Sequence, residues 1–275
     1  MPLALARVQH AIVDMDGVLY HGNEPIRGGG EFLDYLREIH VGFLLLTNNS
    51  TLTVSQYVAK LEQMGINATD QEILTSAVAT AAYLGRVAAP GSRVFVIGEE
   101  GLRSELRKTG LLLTDEAEAA FVVVGFDRQL TYAKLSTATR AIDRGAKFIG
   151  SNPDRTFPSE TGLAPGAGAT LAALEAATGV APLVIGKPER AILDQALQRL
   201  QASPQTTVAI GDGLYTDVIG GQRAGLMTVL LMSGVTSAGQ LEGASQQPDA
   251  VYADVAALHE AWRKAVGQSG IGATE

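Results

Sequence analysis

Two carboxylates one residue apart form the strongest chemical motif of this sequence. Asp14 and Asp16 lie in AIVDMDGVLYHG (residues 11–22), where an apolar run turns at Gly17. Strand spacing directs both side chains to the same side, and ligands of α/β proteins bind at the carboxyl ends of parallel strands. One carboxylate can then attack a substrate while the other transfers a proton. Taken alone, the tripeptide DMD is equally typical of a solvated turn.

A second polar cluster follows another apolar run, FLLLTNNS (residues 43–50). Thr47 and Asn48 end the predicted strand, Asn49 comes next, and a helix is predicted to open shortly afterwards. Such a junction can hold phosphate oxygens with hydroxyl and amide groups and with free backbone N–H groups. For an isolated TNNS, plain helix capping by the hydroxyl of Ser50, Thr51 or Thr53 is the alternative.

Two later strand ends carry charge. LVIGKPE (183–189) places Lys187 after a strand, where its ammonium can neutralise both a carboxylate and a phosphate; an ordinary surface lysine is the alternative. TVAIGDGLYTD (207–217) ends a strand at Asp212 and supplies Asp217 five residues later. Hard carboxylate oxygens of this kind suit Mg²⁺, which keeps several waters. Four strand-end clusters in the order acid pair, hydroxyl and amide, lysine, acid pair are improbable as independent accidents.

The composition excludes several classes of site. The net charge is −8 with a pI near 5.1, and no segment clusters the Lys and Arg that a nucleic-acid groove requires. The absence of Cys excludes disulfides, thiolate metal sites and Cys nucleophiles. The glycine-rich segments 28–30 and 165–170 lack the nucleotide-loop patterns, and the His residues show no paired metal spacing. The apolar stretch near residue 1 is too short for a signal peptide. No run of about 20 apolar residues occurs that could span a membrane, so a cytoplasmic protein without membrane contact is expected.

Short apolar runs alternate with amphipathic stretches along the chain, which predicts mostly parallel sheets with helices on both faces. At 275 residues, about two domains are expected. The turn-rich segments AAPG (88–91) and ATGVAPL (177–183) can bracket an inserted domain. The predicted strands are 11–15, 43–47, 94–98, 121–125, 148–150, 183–186, 207–211 and 228–232. The predicted helices are 29–39, 53–64, 76–87, 131–143, 167–178, 188–201 and 254–266.

At these motifs the sequence resembles the haloacid dehalogenase-like hydrolase superfamily. Four segments are similar to the four motifs of that superfamily, in the same order: DMDGV (14–18), TNN (47–49), GKP (186–188) and GDGLYTD (211–217). The resemblance extends over nearly the whole chain to the NagD-type, 4-nitrophenylphosphatase-like branch, through ILTSA (73–77), VIGEEGL (96–102), VVGFDRQLTY (123–132), GSNPDRTFP (150–158) and PGAGA (165–169). The segment Gly213-Leu214-Tyr215 departs from the family pattern, which makes local substrate contacts less transferable.

The resemblance implies a fold and a domain organisation. The fold is α/β, with a Rossmann-like parallel-sheet core and an α/β cap domain inserted between the second and third motifs. The core comprises residues 1–86 and 182–275, and the cap comprises residues 87–181. Within the cap, the polar SNPDRT loop is predicted to set specificity, with Asn152 and Asp154 as substrate contacts. Asn-Pro-Asp is also an ordinary turn sequence, so this loop has a purely structural alternative.

The resemblance also implies catalytic roles. Asp14 matches the nucleophile, Asp16 the general acid and base, and Lys187 a charge clamp. The predicted phosphate ligands are Thr47, Asn48 and Asn49. The predicted metal site uses Mg²⁺.

Four acids are predicted around that Mg²⁺. Asp14, Asp212 and the backbone carbonyl of Asp16 match its ligands. Asp217 matches the second acid of the last motif, which either orients Lys187 or metal-bound water or binds the metal itself.

The predicted function is a Mg²⁺-dependent phosphatase that acts on a small phosphate monoester through a phospho-aspartate. A sugar phosphate, a nucleotide, phosphoglycolate and an aryl phosphate are the candidate substrates, so the expected partner is a small phosphorylated metabolite; a homodimer is left open. Competing hypotheses are a phosphomutase or dehalogenase on the same scaffold and a non-catalytic phosphometabolite-binding module. A dinucleotide-binding oxidoreductase is permitted by the βαβ pattern but lacks the glycine fingerprint.

Overall fold

The computed structural model of the protein describes residues 5–159 and 162–269. Its helices are α1 (Gly29–Glu38), α2 (Val54–Gln63), α3 (Ser76–Val87), α4 (Glu100–Lys108), α5 (Tyr132–Asp143), α6 (Ala167–Thr178), α7 (Arg190–Leu200), α8 (Ile219–Arg223), α9 (Ala238–Glu242) and α10 (Val255–Ser269). Its strands are β1 (His10–Asp14), β2 (Tyr20–His21), β3 (Glu24–Pro25), β4 (Gly42–Thr47), β5 (Ile73–Thr75), β6 (Arg93–Ile97), β7 (Leu112–Thr114), β8 (Phe121–Val124), β9 (Lys147–Gly150), β10 (Thr156–Ser159), β11 (Gly162–Pro165), β12 (Leu183–Val184), β13 (Thr207–Gly211), β14 (Met227–Leu231) and β15 (Ala250–Tyr252).

The larger sheet has six strands in the order β15-β14-β13-β1-β4-β5. The pairs that β1 makes with β13 and with β4 are parallel, with Val13 opposite Ile210 and Asp14 opposite Leu46. Central strands covered on both faces are apolar on both faces, and the adjacent residues Ala11 and Ile12 of β1, which point to opposite faces, are both buried accordingly. This register brings the carboxyl ends of β1, β4 and β13 side by side.

A second sheet has five strands in the order β12-β9-β8-β6-β7, and all of its pairs are parallel. Helices α5 and α6 supply side chains to its core, which includes Val122, Val124, Ile142 and Leu171. Hydroxyl caps start two helices of this region: Thr75 accepts from the Val78 N–H at the start of α3, and Thr131 does the same for α5. The predicted α/β class with mostly parallel sheets is confirmed.

The chain divides into two compact units. Unit 1 contains the residues up to Thr47, the segment Tyr57–Leu74 and the residues from Leu193 onward; it holds the six-stranded sheet. Unit 2 contains Asn48–Gln56 and Thr75–Ile192, and it holds the five-stranded sheet. The cap boundaries at 87 and 181 stay a prediction.

Helix length and apolarity bear on membrane insertion. Within residues 5–159 and 162–269, no helix is both long enough and apolar enough to span a bilayer.

Candidate active site

Three carboxylates of unit 1 converge at the ends of two neighbouring strands. Asp14 is the last residue of β1, and Asp212 directly follows β13, the parallel neighbour of β1. Asp217 lies in the helical turn Leu214–Val218 that comes next. One carboxylate oxygen from each of the three lies within 4.8 Å of the others. Asp14 is half-buried, whereas Asp212 and Asp217 are only 4% and 6% exposed. Three acidic groups therefore share a poorly solvated site.

Neutral hydrogen-bond donors fix the two buried carboxylates of this cluster. The Val235 backbone N–H donates to Asp212 Oδ2 over 2.7 Å, and the Thr236 hydroxyl donates to the Asp212 backbone carbonyl over 2.6 Å. Asp217 Oδ2 accepts from the Gly213 N–H and from the Thr216 hydroxyl, each over 3.0 Å. These donors orient the carboxylates but supply no positive charge. Hard oxygen ligands arranged in this way fit a divalent cation such as Mg²⁺.

Glycines give the carboxylates their space. A Cβ on Gly17 or on Gly234 would overlap the Asp212 carboxylate, and a Cβ on Gly211 would overlap that of Asp217. Gly17 also has a φ of +81°, a left-handed conformation that favours glycine. The turn after Asp16 is therefore built around the neighbouring acid.

Asp16 has a different environment from Asp14. Burial raises the pKa of the Asp16 carboxyl, against the lowering effects of the Lys60 ammonium, of His21 and of two backbone N–H groups. The Lys60 ammonium lies 4.1 Å from the centroid of the Tyr20 ring. A carboxyl with a raised pKa keeps its proton to higher pH, which is what a general acid requires.

Thr47 is the last residue of β4, and its side chain is buried. The Thr47 hydroxyl is hydrogen-bonded to the Tyr57 hydroxyl. Burial raises the pKa of Tyr57 far above its ordinary value, and the negative charges of Asp16 and Asp14 add to the rise. Tyr57 thus stays a neutral phenol. Two of the predicted site residues of unit 1, Thr47 and Asp16, therefore both lie near Tyr57.

The remaining predicted site residues belong to unit 2. Asn48, Asn152 and Lys187 are 7%, 3% and 3% exposed. The Asn48 side chain hydrogen-bonds to the backbone of Lys187 and to Asp154, and Asn152 Nδ2 donates to the Asn48 carbonyl over 2.8 Å. These four residues therefore form one polar network, of which Asp154 is the partly exposed member.

Asn49 is placed differently from its neighbour. Its Oδ1 accepts from the Thr51 N–H and hydroxyl over 2.9 and 2.8 Å. That pattern is an Asx turn that leads the chain toward α2. The predicted ligand Asn49 is thus engaged in shaping the loop.

Three residues near Asp16 are absent from the predicted site: Lys60, Tyr57 and Tyr20. Each lies close enough to Asp16 for one of the two groups to shift the pKa of the other. Helical spacing was an available signal, because Tyr57, Lys60 and Leu61 share one face of α2. Tyr57 and Leu61 on that face are fully buried. A lysine beside two buried residues is less exposed than an ordinary surface lysine.

Comparisons with known proteins bear on this site. Residues 11–112 match a family model described as haloacid dehalogenase-like hydrolase, and residues 184–258 match one described as HAD-hydrolase-like. The chain is 39% identical over 244 residues to an acid sugar phosphatase of Staphylococcus saprophyticus, which covers 89% of this chain and 94% of that protein.

Solved structures are also similar to this chain over most of its length. NagD from Escherichia coli K-12 superposes with a TM-score of 0.84 at 35% identity and covers 90% of this chain and 97% of its own. A glycerol phosphate phosphatase from Mycobacterium tuberculosis, solved in complex with magnesium, superposes with a TM-score of 0.87 at 32% identity. That match covers 96% of this chain and 80% of the other.

Proposed function

Because the chain belongs to the haloacid dehalogenase-like hydrolases and is a phosphatase of the NagD-type branch, we propose that it hydrolyses a small phosphate monoester. The reaction uses Mg²⁺ and passes through a covalent phospho-aspartate on Asp14. One observation carries the proposal. The half-buried Asp14 shares a cluster with two buried acids, while Asp16, two residues on, is held in an environment that raises its pKa. Two nearby carboxyls with different surroundings suit a nucleophile and a proton donor.

The donor set of this cluster fits Mg²⁺. The Asp14 and Asp212 carboxylates and the backbone carbonyl of Asp16 would hold the ion, with Asp217 beside them. When bound, the ion offsets the negative charge of Asp14 and of the phosphoryl group. The M. tuberculosis relative that was solved with magnesium supports this assignment.

The chain's own residues perform the transfer in two steps. An oxygen of the Asp14 carboxylate attacks phosphorus in line, and the bond from phosphorus to the leaving oxygen breaks. Protonated Asp16 donates its proton to that oxygen. Asp16 then takes a proton from the water that hydrolyses the phospho-aspartate, which releases phosphate and restores Asp14.

We assign Lys187 and Thr47 to binding of the phosphoryl group, because the four motifs follow one another along the chain in the order that the family has. Lys187 supplies the positive charge and Thr47 supplies a hydroxyl donor. Phosphoryl transfer depends mainly on alignment and charge stabilisation, and these two groups would supply both.

The substrate class follows from the similar proteins. Among a sugar phosphate, a nucleotide, phosphoglycolate and an aryl phosphate, we favour the sugar phosphate and related polyol phosphates, because the S. saprophyticus and M. tuberculosis relatives described above are named for sugar and glycerol phosphates. The segment 87–181 is the proposed cap, and it is assigned the contacts with the leaving group.

Phosphate release from a panel of phosphorylated metabolites and 4-nitrophenyl phosphate tests the function. We expect activity with Mg²⁺, none in excess chelator, and weak activity with Ca²⁺, whose larger and looser ligand shell disturbs in-line geometry. Full activity in excess chelator would contradict the metal assignment. Halide release from haloacids without phosphate release would identify a dehalogenase instead.

A further inference from the structure

The side-chain amide of Asn48 is hydrogen-bonded to two separate segments of the chain, at Lys187 and at Asp154. Its Oδ1 accepts from the Lys187 backbone N–H over 2.8 Å, and its Nδ2 donates to the Lys187 backbone carbonyl over 2.9 Å. The same Nδ2 donates to Asp154 Oδ1 over 3.0 Å. A side-chain amide has two N–H bonds, and both have acceptors here. The Asn48 side chain therefore keeps no N–H for a phosphate oxygen.

The pattern is specific to an amide. Asn48 exchanges one donor and one acceptor bond with the peptide groups of a single residue, as paired residues in a β-ladder do. A flipped amide would set its oxygen against the Lys187 carbonyl and the Asp154 carboxylate, so the orientation is fixed by the partners. Aspartate at position 48 would keep the shape of the side chain but lose both donated bonds.

The backbone around Asn48 is fixed as well. Its carbonyl accepts from the Ser76 hydroxyl over 2.5 Å and from Asn152 Nδ2 over 2.8 Å, and both donor residues are buried. Gly186 precedes Lys187, and a Cβ there would lie 2.6 Å from Asn48 Oδ1. The glycine therefore permits the close approach of the amide to the Lys187 backbone.

We propose that Asn48 is a positioning residue for Lys187: its side-chain amide holds the Lys187 backbone in register and does not bind the substrate phosphate. Asp154 and Asn152 help to hold Asn48 in place. Asp154 accepts from the other N–H of the Asn48 amide, and Asn152 donates to the Asn48 backbone carbonyl. The proposal rests on the proposed role of Lys187 as the cationic group of the reaction.

A double-mutant cycle tests the coupling between the two residues. The kcat/KM for 4-nitrophenyl phosphate with Mg²⁺ is measured for the wild type, Asn48→Ala, Lys187→Gln and the double variant. We expect Asn48→Ala to lose about 10²-fold, the effect of misplacing a reacting group by about 1 Å. The double variant should be no slower than Lys187→Gln, because residues that act through one another give non-additive losses. The exposed Asn67→Ala is the matched control and should keep wild-type activity.

Opposite outcomes separate the two proposals. Losses that multiply in the double variant, or an Asn48→Ala variant with full activity, would overturn the positioning role while leaving the phosphatase assignment intact. A wild type without Mg²⁺-dependent phosphate release, or a fully active Lys187→Gln, would instead overturn the proposed function. If Asn48→Ala does not fold by circular dichroism, the cycle is run with Asn48→Ser, which keeps a small uncharged polar side chain but removes the amide. Failure of both variants to fold would show that Asn48 supports the fold, and would also overturn the positioning role.

Discussion

Asp14 and Asp16 are two residues apart, yet their surroundings differ in the features that decide chemistry. Asp14 clusters with two other acids, and three carboxylates this close together offer hard oxygen ligands to a divalent cation. Asp16 instead lies in a desolvated position whose positive neighbours only partly offset the effect of burial on its pKa. A charge buried without full compensation destabilises the folded state. That loss of stability is typical of a site arranged for function.

Replacement of Asp16 should therefore change stability in a pH-dependent way. The folded pKa of Asp16 is raised above its ordinary value of 3.8, so its favourable contribution is complete below that pH and is lost as pH rises through the folded pKa. Asn mimics the neutral carboxyl at every pH. In calorimetry with chelator present, the Tm of Asp16→Asn should exceed that of the wild type by more at pH 7 than at pH 4. The exposed Asp115→Asn serves as the control, and an equal Tm difference at both pH values for Asp16→Asn would contradict the raised pKa.

The turns after β1 and β13 show how short elements hold the acids in place. Gly17 has a φ of +81° and faces the Asp212 carboxylate, whereas Gly65 has a φ of +71° and open space, with no atom within 4 Å of where its Cβ would lie. Both positions favour glycine for conformational reasons. Only the first one also touches the acid cluster, so the pair separates backbone strain from displacement of Asp212.

We expect Gly17→Ala and Gly65→Ala to lose similar stability from strain, about 1–2 kcal/mol each. Gly17→Ala should in addition lower kcat/KM about 10²-fold, because the added methyl group displaces the Asp212 carboxylate. Urea unfolding and steady-state kinetics of both variants measure the two effects. Equal activity of the two variants would show that the Gly17 contact with Asp212 has no bearing on the site.

Sequence patterns predict the strands that carry the site because each is an apolar run that ends at a polar cluster, as β1, β4 and β13 do. Helix α4 escapes prediction: it has few buried apolar side chains, chiefly Leu102 and Leu106, and its N-cap Glu99 makes no side-chain capping bond. Strands β5 and β15 have three residues each, too few for a period to be read.

The destinations of polar side chains are harder to predict than their positions. The sequence predicts Asn48 as part of the site, but the two acceptors of its amide lie 106 and 139 residues away, so only tertiary structure reveals that the amide is already used. The proximity of Lys60 to Asp16 likewise depends on how α2 packs. Local sequence specifies residue type and strand end, whereas long-range packing decides which partner each group meets.

Each of the two compact units has its own parallel sheet and its own apolar core. Chains with separate cores often depart from two-state unfolding. The acid cluster lies entirely within unit 1. A ligand that binds one folded unit stabilises that unit, by about 2.7 kcal/mol when its concentration is 100 times its dissociation constant.

Scanning calorimetry should therefore resolve two unfolding transitions, and Mg²⁺ should raise the Tm of only one of them. Asp212→Asn identifies that transition as unit 1, because the variant should abolish the Mg²⁺-dependent shift. A single transition, or an equal shift of both transitions with Mg²⁺, would contradict the assignment of the metal to one independently folded unit.

Trapping the covalent intermediate on Asp14 tests the phospho-aspartate mechanism. Borohydride reduces an acyl phosphate to an alcohol, so a phospho-aspartate becomes homoserine, which peptide mass spectrometry can locate in the chain. The enzyme is quenched with borohydride during turnover of 4-nitrophenyl phosphate and Mg²⁺, with the Asp14→Asn variant and a substrate-free sample as controls. The mechanism predicts homoserine at position 14 in the turning-over wild type alone. Rapid phosphate release with aspartate unmodified at position 14, or phosphate release by Asp14→Asn at the wild-type rate, would contradict it.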